Sequence, residues 1–457
     1  MSSLGTTMST ALRALQANQF GLAVASNNIS NSGTPGYTRQ RALLRPAPST
    51  GGEMAVGTGV EVVGAESIRD HFIEERLQQE SSRQSENDSM HQSLSDVEML
   101  FNDSNSMGML PALTSFFNSF HSLSTDPTSP QLRQQLISNA SSLVDAFHGR
   151  YGELKNMQST INRSIGEDVT KVNELTSQIS SLTTEITQQE VTSPANELRD
   201  QREILVRQLS EIVEVKQLES PGNYQLSIGE NRALVFDGTS VPLTADPSSA
   251  GYLEVHYGQE DITSEVTGGR LSARVNLRDQ YIPKYLDALN QLAYEIGDQV
   301  NQLHESAHDL DGDTGVSFFQ PMDDAQDAAY NLSLSSEVNS SYRNVAVSAS
   351  SSGLDNEVAL SIGNLLHSSV FSGGSVTDQY RSLVYSIGSD TANADLATKQ
   401  HEALATQLEN RRQSLSGVSV DEETMKILQF QRAFQASARV VQVVDELLQV
   451  TLTLGQS

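Results

Sequence analysis

Met8-Ser9-Thr10-Ala11-Leu12-Arg13-Ala14-Leu15-Gln16-Ala17-Asn18-Gln19-Phe20-Gly21-Leu22-Ala23-Val24-Ala25-Ser26-Asn27-Asn28-Ile29 carries a single charge, Arg13. Within it Met8, Ala11, Leu15, Asn18, Leu22, Ala25 and Ile29 recur at spacings of 3, 4, 3, 4, 3 and 4, which places them on one seam of an α-helix. The seam is narrow, and its Ala and Asn knobs bury too little apolar surface to hold an isolated helix. Small uncharged knobs instead permit another helix to approach closely. Asn31-Ser32-Gly33-Thr34-Pro35-Gly36 follows, and this run of helix-ending and turn residues predicts where the helix stops.

The other end of the chain repeats the design with larger side chains. Ile427, Phe430, Phe434, Ser437, Val441, Val444, Leu448 and Thr451 fall at spacings of 3, 4, 3, 4, 3, 4 and 3. Ser419 with Glu422 three residues on has the form of a capping box. No proline follows Pro321, so the helix runs unbroken for about 30 residues, roughly 45 Å at 1.5 Å per residue. Two readings of these ends stand side by side. They are core helices of one bundle, or they are ends of a polymer subunit that order on assembly.

Helical periodicity also covers residues 70 to 120, 130 to 165, 167 to 215, 278 to 308, 355 to 370 and 376 to 414. In the third, Val172, Leu175, Ile179, Leu182 and Ile186 alternate 3 and 4, followed by Leu198, Leu205, Leu209 and Ile212. Long helices with narrow stripes pack side by side as a rod-like bundle. The period changes near Lys216. Tyr224, Leu226 and Ile228, then Leu253, Val255 and Tyr257, alternate with polar residues between the turn signals Pro221-Gly222, Asp237-Gly238 and Asp246-Pro247, which predicts a small β unit over 216–270. Phe318, Phe319, Leu332, Leu334, Val345 and Val347 point to a second β-rich piece over 311–352. The expected fold class is mainly α with inserted β: a long-helix bundle carrying one or two small β-rich units.

Composition excludes several function classes. The chain of 457 residues has 29 basic and 57 acidic side chains, a net charge of −28. Such an anion is a poor match for nucleic acid or for an anionic membrane surface. No 18-residue stretch is free of charged and strongly polar side chains, so no spanning helix is expected, and the first 30 residues lack the apolar core of a secretory signal. Cysteine is absent, which removes disulfides, thiolate nucleophiles and thiolate metal sites. Between Tyr285 and Tyr342 there are acids but no Lys or Arg, the pattern of a solvated acidic face.

One string has the form of an enzyme motif. His304-Glu305-Ser306-Ala307-His308 is a literal H-E-x-x-H, in which histidines at i and i+4 of a helix ligate zinc and the glutamate acts as general base. On this alternative the chain is a secreted zinc metallopeptidase, with Asp324 or Asp327 as a third ligand. The extended motif is broken by Asp311 and Thr314, and Asp309-Leu310-Asp311-Gly312 ends the helix at once. Asp309, Asp311 and Asp313 resemble the opening of a calcium loop, but Thr314 and Gln320 stand where Gly and Glu are needed, so a plain Asp-Gly turn is expected. Phosphate-loop, dinucleotide and nucleophile-elbow signatures are missing. No catalytic, metal-ligating or cofactor-binding residue is therefore assigned, and no cofactor is expected.

The two ends carry a further pattern. Residues 17 to 40, with Asn27, Asn28, Ile29, Asn31, Thr34, Gly36, Tyr37, Arg39 and Gln40 at their centre, resemble the N-terminal signature of bacterial flagellar rod, hook and hook-associated proteins. The Tyr37-Thr38-Arg39-Gln40 ending is most similar to the hook-associated branch that begins the junction between hook and filament. Near the other end, residues 410 to 423 and then Gln431, Ala436, Ser437, Ala438 and Arg439 resemble the C-terminal signature of that family. Gly268-Gly269-Arg270-Leu271 and the run from Val300-Asn301 to Asp311-Gly312 resemble its internal pattern.

The resemblance implies a non-enzymatic structural subunit whose terminal helices pack inside a tube. It divides the chain into an inner coiled-coil domain of 1–40 with 418–457 and a helical domain of 41–215 with 271–310 and 353–417. The β-rich insert 216–270 and the piece 311–352 lie further out, with one outer domain reduced, since the family is often longer. The implied subunit-packing residues are Met8, Ala11, Leu15, Leu22, Ile29, Ile427, Phe430, Phe434, Val441, Val444 and Leu448. Implied partners are copies of the chain, the hook protein, the second hook-filament junction protein and an export chaperone covering the C-terminal helix. Export through the flagellar type III apparatus places it first in the cytoplasm and then outside the cell. The second junction protein is the near alternative within the family.

Overall fold

A computed structural model describes residues 2–48, 57–103, 108–220, 222–352, 355–371 and 373–454. The first helix, α1 (Ser2–Ser30), ends where Asn31 turns its side chain back onto Asn27 and Gly36 takes φ +78°. The chain then forms an antiparallel hairpin, β1 (Gln40–Pro46) and β2 (Val60–Ser67), with Gln40 opposite Ser67 and a bulge at Leu43/Leu44. The hairpin packs along α1. Among the described residues, 41–67 of the expected helical domain 41–215 thus contain this hairpin and no helix: its short, mixed-polarity alternation gives little contrast beside the long helical periods.

Asp70 caps α2 (His71–Leu100) by accepting from the Phe72 and Ile73 N–H groups. Next come α3 (Met109–Leu123) and α4 (Pro130–Gln189), then α5 (Asn196–Ser210); residues 104–107 of the expected 70–120 stretch lie outside the described residues. α4 is one helix of 60 residues, about 90 Å long at 1.5 Å per residue. No break occurs near 166. Gly166 weakens the helix, but Ile165, Val169, Val172 and Leu175 continue the buried face across it, and tertiary burial outweighs a propensity loss of about 1 kcal/mol.

The insert is two small antiparallel sheets. β3 (Val215–Ser220), β4 (Asn223–Ile228), β5 (Arg232–Phe236) and β6 (Thr239–Ser240) pair in sequence order, as do β7 (Leu243–Pro247), β8 (Leu253–Tyr257) and β9 (Glu260–Asp261). Pro221 of the expected turn lies outside the described residues. The chain returns through α6 (Gly269–Asn276), a π-helical turn at Leu277–Tyr281, and α7 (Ile282–Glu305). Short helices α8 (Ala328–Asn331), α9 (Ser336–Ser340) and α10 (Glu357–Asn364) lead into the long α11 (Val376–Ser416) and α12 (Val420–Leu454). The molecule is thus mainly α with inserted β.

Two apolar cores lie along α4. One gathers α3, the first half of α4, α7, α10 and the start of α11 around Phe116, Phe117, Phe120, Phe318 and Phe319. The other joins the second half of α4 to α5, α6 and the sheets. The long helices α2 and α11 run antiparallel, linked by His401 to Glu80 at 2.8 Å, with Tyr380 donating to Asp103 just past the end of α2 at 2.7 Å.

The expected β-rich piece at 311–352 is corrected. Among the described residues this segment has isolated bridges, Phe319 to Leu334 and His308 to Ser348, but no ladder. Phe318, Phe319, Leu332, Val345 and Val347 are fully buried in the helical core. Helix side chains replace the ladder: Asn301 of α7 accepts from the Phe318 and Phe319 N–H groups and donates to the Phe319 carbonyl. Arg133 of α4 donates to the Tyr342 and Val345 carbonyls. Buried backbone groups must be paired, and side chains from neighbouring helices meet that demand without strands.

Candidate functional site

The two chain ends lie against one another. α1 and α12 are antiparallel, with the Asn18 amide donating to Ser437 Oγ at 3.5 Å and the Asn28 amide to Glu423 Oε2 at 3.0 Å. A Cβ on Gly21 would stand 2.5 Å from the Phe430 ring, so glycine is what lets this aromatic ring seat on α1. Ala11 and Val444 are buried, whereas Met8, Leu15, Leu22, Ile29, Ile427, Phe430, Phe434, Val441 and Leu448 are half-buried. The buried residues of α1 are Ala11, Ala17, Gly21, Val24, Ala25 and Asn28. The heptad reading missed most of that stripe because α1 is covered from two sides, by α12 and by the hairpin. A small-residue pattern, Ala17 with Gly21 four residues on, was the available signal.

At the lower end of this pair a polar clasp ties four segments together. Asn28, fully buried, accepts from the Gln40 N–H at 3.0 Å and the Tyr37 hydroxyl at 2.9 Å, and donates to the Gln40 carbonyl at 2.8 Å as well as to Glu423. Arg39 donates to Glu423 at 2.8 Å and to Glu422 at 2.7 Å, and Lys426 reaches Glu423 at 2.9 Å. The Arg39 N–H donates to the Ser416 carbonyl, and the Thr38 N–H to Asp200 of α5, which also pairs with Arg69. The clasp therefore joins the end of α1, the start of α12, the end of α11 and α5. Glu422 N–H lies 3.5 Å from Ser419 Oγ, but the Glu422 carboxylate turns to Arg39, so the expected capping box is half made.

Of the motif residues, the structure gathers Asn28, Tyr37, Arg39 and the Gln40 backbone in the clasp. Asn27, Asn31 and Thr34 form a local chain of side-chain hydrogen bonds, and Gly36 passes against Ile204, where a Cβ would meet Cδ1 at 2.6 Å. Ala438 is half-buried beside Ser437, whereas Gln431, Ala436 and Arg439 face solvent. Ser416 and Glu423 fall within the 410–423 signature but without a role assigned from sequence, and Asp200 and Lys426 fall outside every motif, because the Asn28 to Arg39 segment they gather around is distant in sequence.

The clasp is electrostatically poised. Burial, together with the charges of Asp200, Glu197 and Glu423, pushes the Tyr37 hydroxyl up to about 12. Burial acts to raise the Glu423 carboxyl, but hydrogen bonds from Asn28, Lys426 and Arg39 and the Lys426 charge outweigh it and hold the group below the usual 4.5. A carboxylate depressed in the fold stabilises it above its unfolded value and loses that contribution as pH falls through the folded one. Acidification below about pH 4.5 is therefore expected to open the α1/α12 end before the helical core, seen as selective loss of α1 amide protection in a hydrogen-exchange titration.

The H-E-x-x-H string is structural. His304 is fully buried at the end of α7, its Nδ1 donating to the Val316 carbonyl at 2.6 Å and its Nε2 accepting the Ala346 N–H at 2.8 Å. Both ring nitrogens are committed, and burial pushes the imidazole down to about 4. His308 lies beyond the helix and its Nδ1 meets the Gly312 carbonyl at 3.0 Å. Asp309 accepts from the Asp311 and Asp313 N–H groups, and Asp311 pairs with Arg343, which makes the calcium-like run a turn. Since His304 is neutral in the fold, its contribution is full above 6.5 and is lost as pH falls toward 4. Its ring nitrogen NMR shifts are expected to stay constant from pH 8 to 5.5; a transition near 6.5 would contradict this placement.

Comparison with known proteins agrees with this arrangement. Residues 94–319 match the flagellar hook-associated protein FlgK helical domain, 411–454 the flagellar basal body rod FlgEFG protein C-terminal family, and 8–38 the flagella basal body rod protein family. The paired ends and the inserted helical domain thus define a flagellar axial protein. Flagellar hook-associated protein 1 of Bacillus subtilis is 28% identical over 96% of both chains, and that of Escherichia coli is 26% identical over 99% of this chain and 100% of its own. The flagellar hook junction protein FlgK from Burkholderia pseudomallei has the same fold, with TM-score 0.66 and 16% identity over 75% of this chain and all of its own. Over nearly its full length the chain is similar to flagellar hook-associated protein 1, and these matches support a structural protein of the hook-filament junction. Among the described residues no helix is long and apolar enough to cross a membrane.

Proposed function

We propose that this subunit joins hook to filament by packing α1 and α12 against copies of itself, against the hook protein on one side and against the second junction protein on the other. The observation that carries this reading is the second face of α12. With its seam turned to α1, α12 still presents Met425, Leu428, Val440, Val443, Leu447 and Val450, each 43–65% exposed. A run of large apolar side chains of this kind marks an association surface. The ends match each other within one chain, so what awaits assembly is this outer stripe rather than the seam itself. An export chaperone covering α12 before secretion would shield the same stripe, and the chain would pass through the type III apparatus unfolded. The work is done by packing, with no catalytic step, and the buried His304 gives no support to a peptidase.

A deletion strain is expected to build hooks without filaments, and normal filaments in that strain would end the proposal. Complementation with Val443→Asp/Leu447→Asp is expected to leave the defect in place while the purified variant keeps its helicity. Finding the variant in the culture medium would assign the failure to assembly. Its retention in the cell would assign it to export.

A further inference from the structure

We propose a site for a divalent first-row transition metal, of the zinc class, on the open face of the β7–β8–β9 sheet, formed by Glu254, His256 and Asp261. Strand alternation builds it. Val255 is fully buried, so Glu254 and His256, two residues apart, share the opposite face of β8. The register sets Asp261 of β9 directly across from His256, which brings the third donor to the same face.

The distances suit ligation. His256 Nε2 lies 3.4 Å from Glu254 Oε2, close to the edge of a tetrahedron with metal bonds of about 2.0–2.1 Å. One donor atom from each of the three residues lies within 4.8 Å of the others. Asp261 Oδ1 is held by the Thr263 N–H at 2.9 Å and hydroxyl at 2.6 Å, which fixes the carboxylate on this face. The His256 side chain is 20% exposed, open enough for an ion to enter. The imidazole nitrogen selects zinc, cobalt or nickel over calcium and magnesium, which prefer oxygen alone.

An independent feature points the same way. Asp246 of β7 stands directly opposite Glu254 in the register, and like charges at paired positions destabilise a sheet. The 37 residues between Arg232 and Arg270 hold six acids and no Lys or Arg, and Arg232 is engaged by Glu260 and Glu265. A bound cation would relieve the repulsion and clip the two-residue β9 to β8.

The test uses the full chain, stripped with chelator and titrated with zinc by calorimetry, and with cobalt by visible absorption. One equivalent of zinc per chain is expected, with the intense visible bands of four-coordinate cobalt. His256→Ala is expected to weaken zinc binding at least tenfold and Glu254→Gln several-fold, with unchanged circular dichroism, whereas His308→Ala should bind as the parent does. Absence of stoichiometric uptake, or uptake that survives His256→Ala, overturns the proposal.

Discussion

In a chain carrying Asn28→Leu, amide exchange along α1 is expected to accelerate by on the order of 10²–10³-fold while the helical core keeps its protection. Asn28 makes four hydrogen bonds in a site with no access to solvent: two with the Gln40 backbone, one with Tyr37 and one with Glu423. Leucine has the same branched four-atom side-chain skeleton, though a larger volume, and no polar atom, so the Gln40 N–H and carbonyl lose their partners inside the protein. Each such orphaned group costs about 1–3 kcal/mol. Glu423 keeps Arg39 and Lys426, which limits the total to about 3–5 kcal/mol. The loss falls on the docking of α1, since Asn28 is the residue through which α1 holds Gln40 of β1, Tyr37 and Glu423 of α12. Exchange mass spectrometry that finds α1 as protected as in the parent would contradict this account of the clasp.

The larger effect on stability is expected from Gly269→Val. Gly269 has φ +64°, and a Cβ there would stand 2.2–2.5 Å from the Ile212 carbonyl and the Val213 nitrogen, which are backbone atoms with no rotamer to give way. The close approach allows Arg270 and Leu271 N–H to donate to the Glu211 and Ile212 carbonyls. It also sets Arg270 and Arg274 on the buried carboxylate of Asp168. Valine combines a disfavoured left-handed conformation with a backbone clash, so a loss above about 4 kcal/mol is expected, read as a large fall in Tm or as insoluble chain. Gly251→Ala supplies the contrast. It has φ +83° and nothing within 4 Å, so strain alone applies and about 1 kcal/mol is expected. Equal effects at the two positions would show that the contact with Ile212 is unimportant.

These two positions illustrate how unevenly the fold was legible. Helical period and turn residues were enough to place α1, α12 and the strands of the insert, because amphipathic spacing is a local property of the chain. The hairpin at 40–67 is not legible in this way, since seven or eight residues of mixed polarity give little contrast beside helices of 30. The apolar residues of 311–352 have the look of strands, yet Asn301 and Arg133 supply the backbone bonds that a ladder would have made. No local rule separates a strand from a loop whose hydrogen bonds are met by side chains from elsewhere. In the clasp, the Asn28 to Gln40 half was visible as a motif, whereas Glu423 and Asp200 join from 395 and 162 residues away.

The amino-acid order by itself determined the helical character of both ends, the change of period at the insert, and the family to which the paired motifs belong. Only the tertiary structure decided that the ends match each other, that α12 keeps a second, exposed apolar face, and that His304 is a buried structural residue. The reason is physical. Periodicity and turn chemistry act over a few residues, but a polar atom's partner and an apolar face's cover depend on which distant segments are brought beside them.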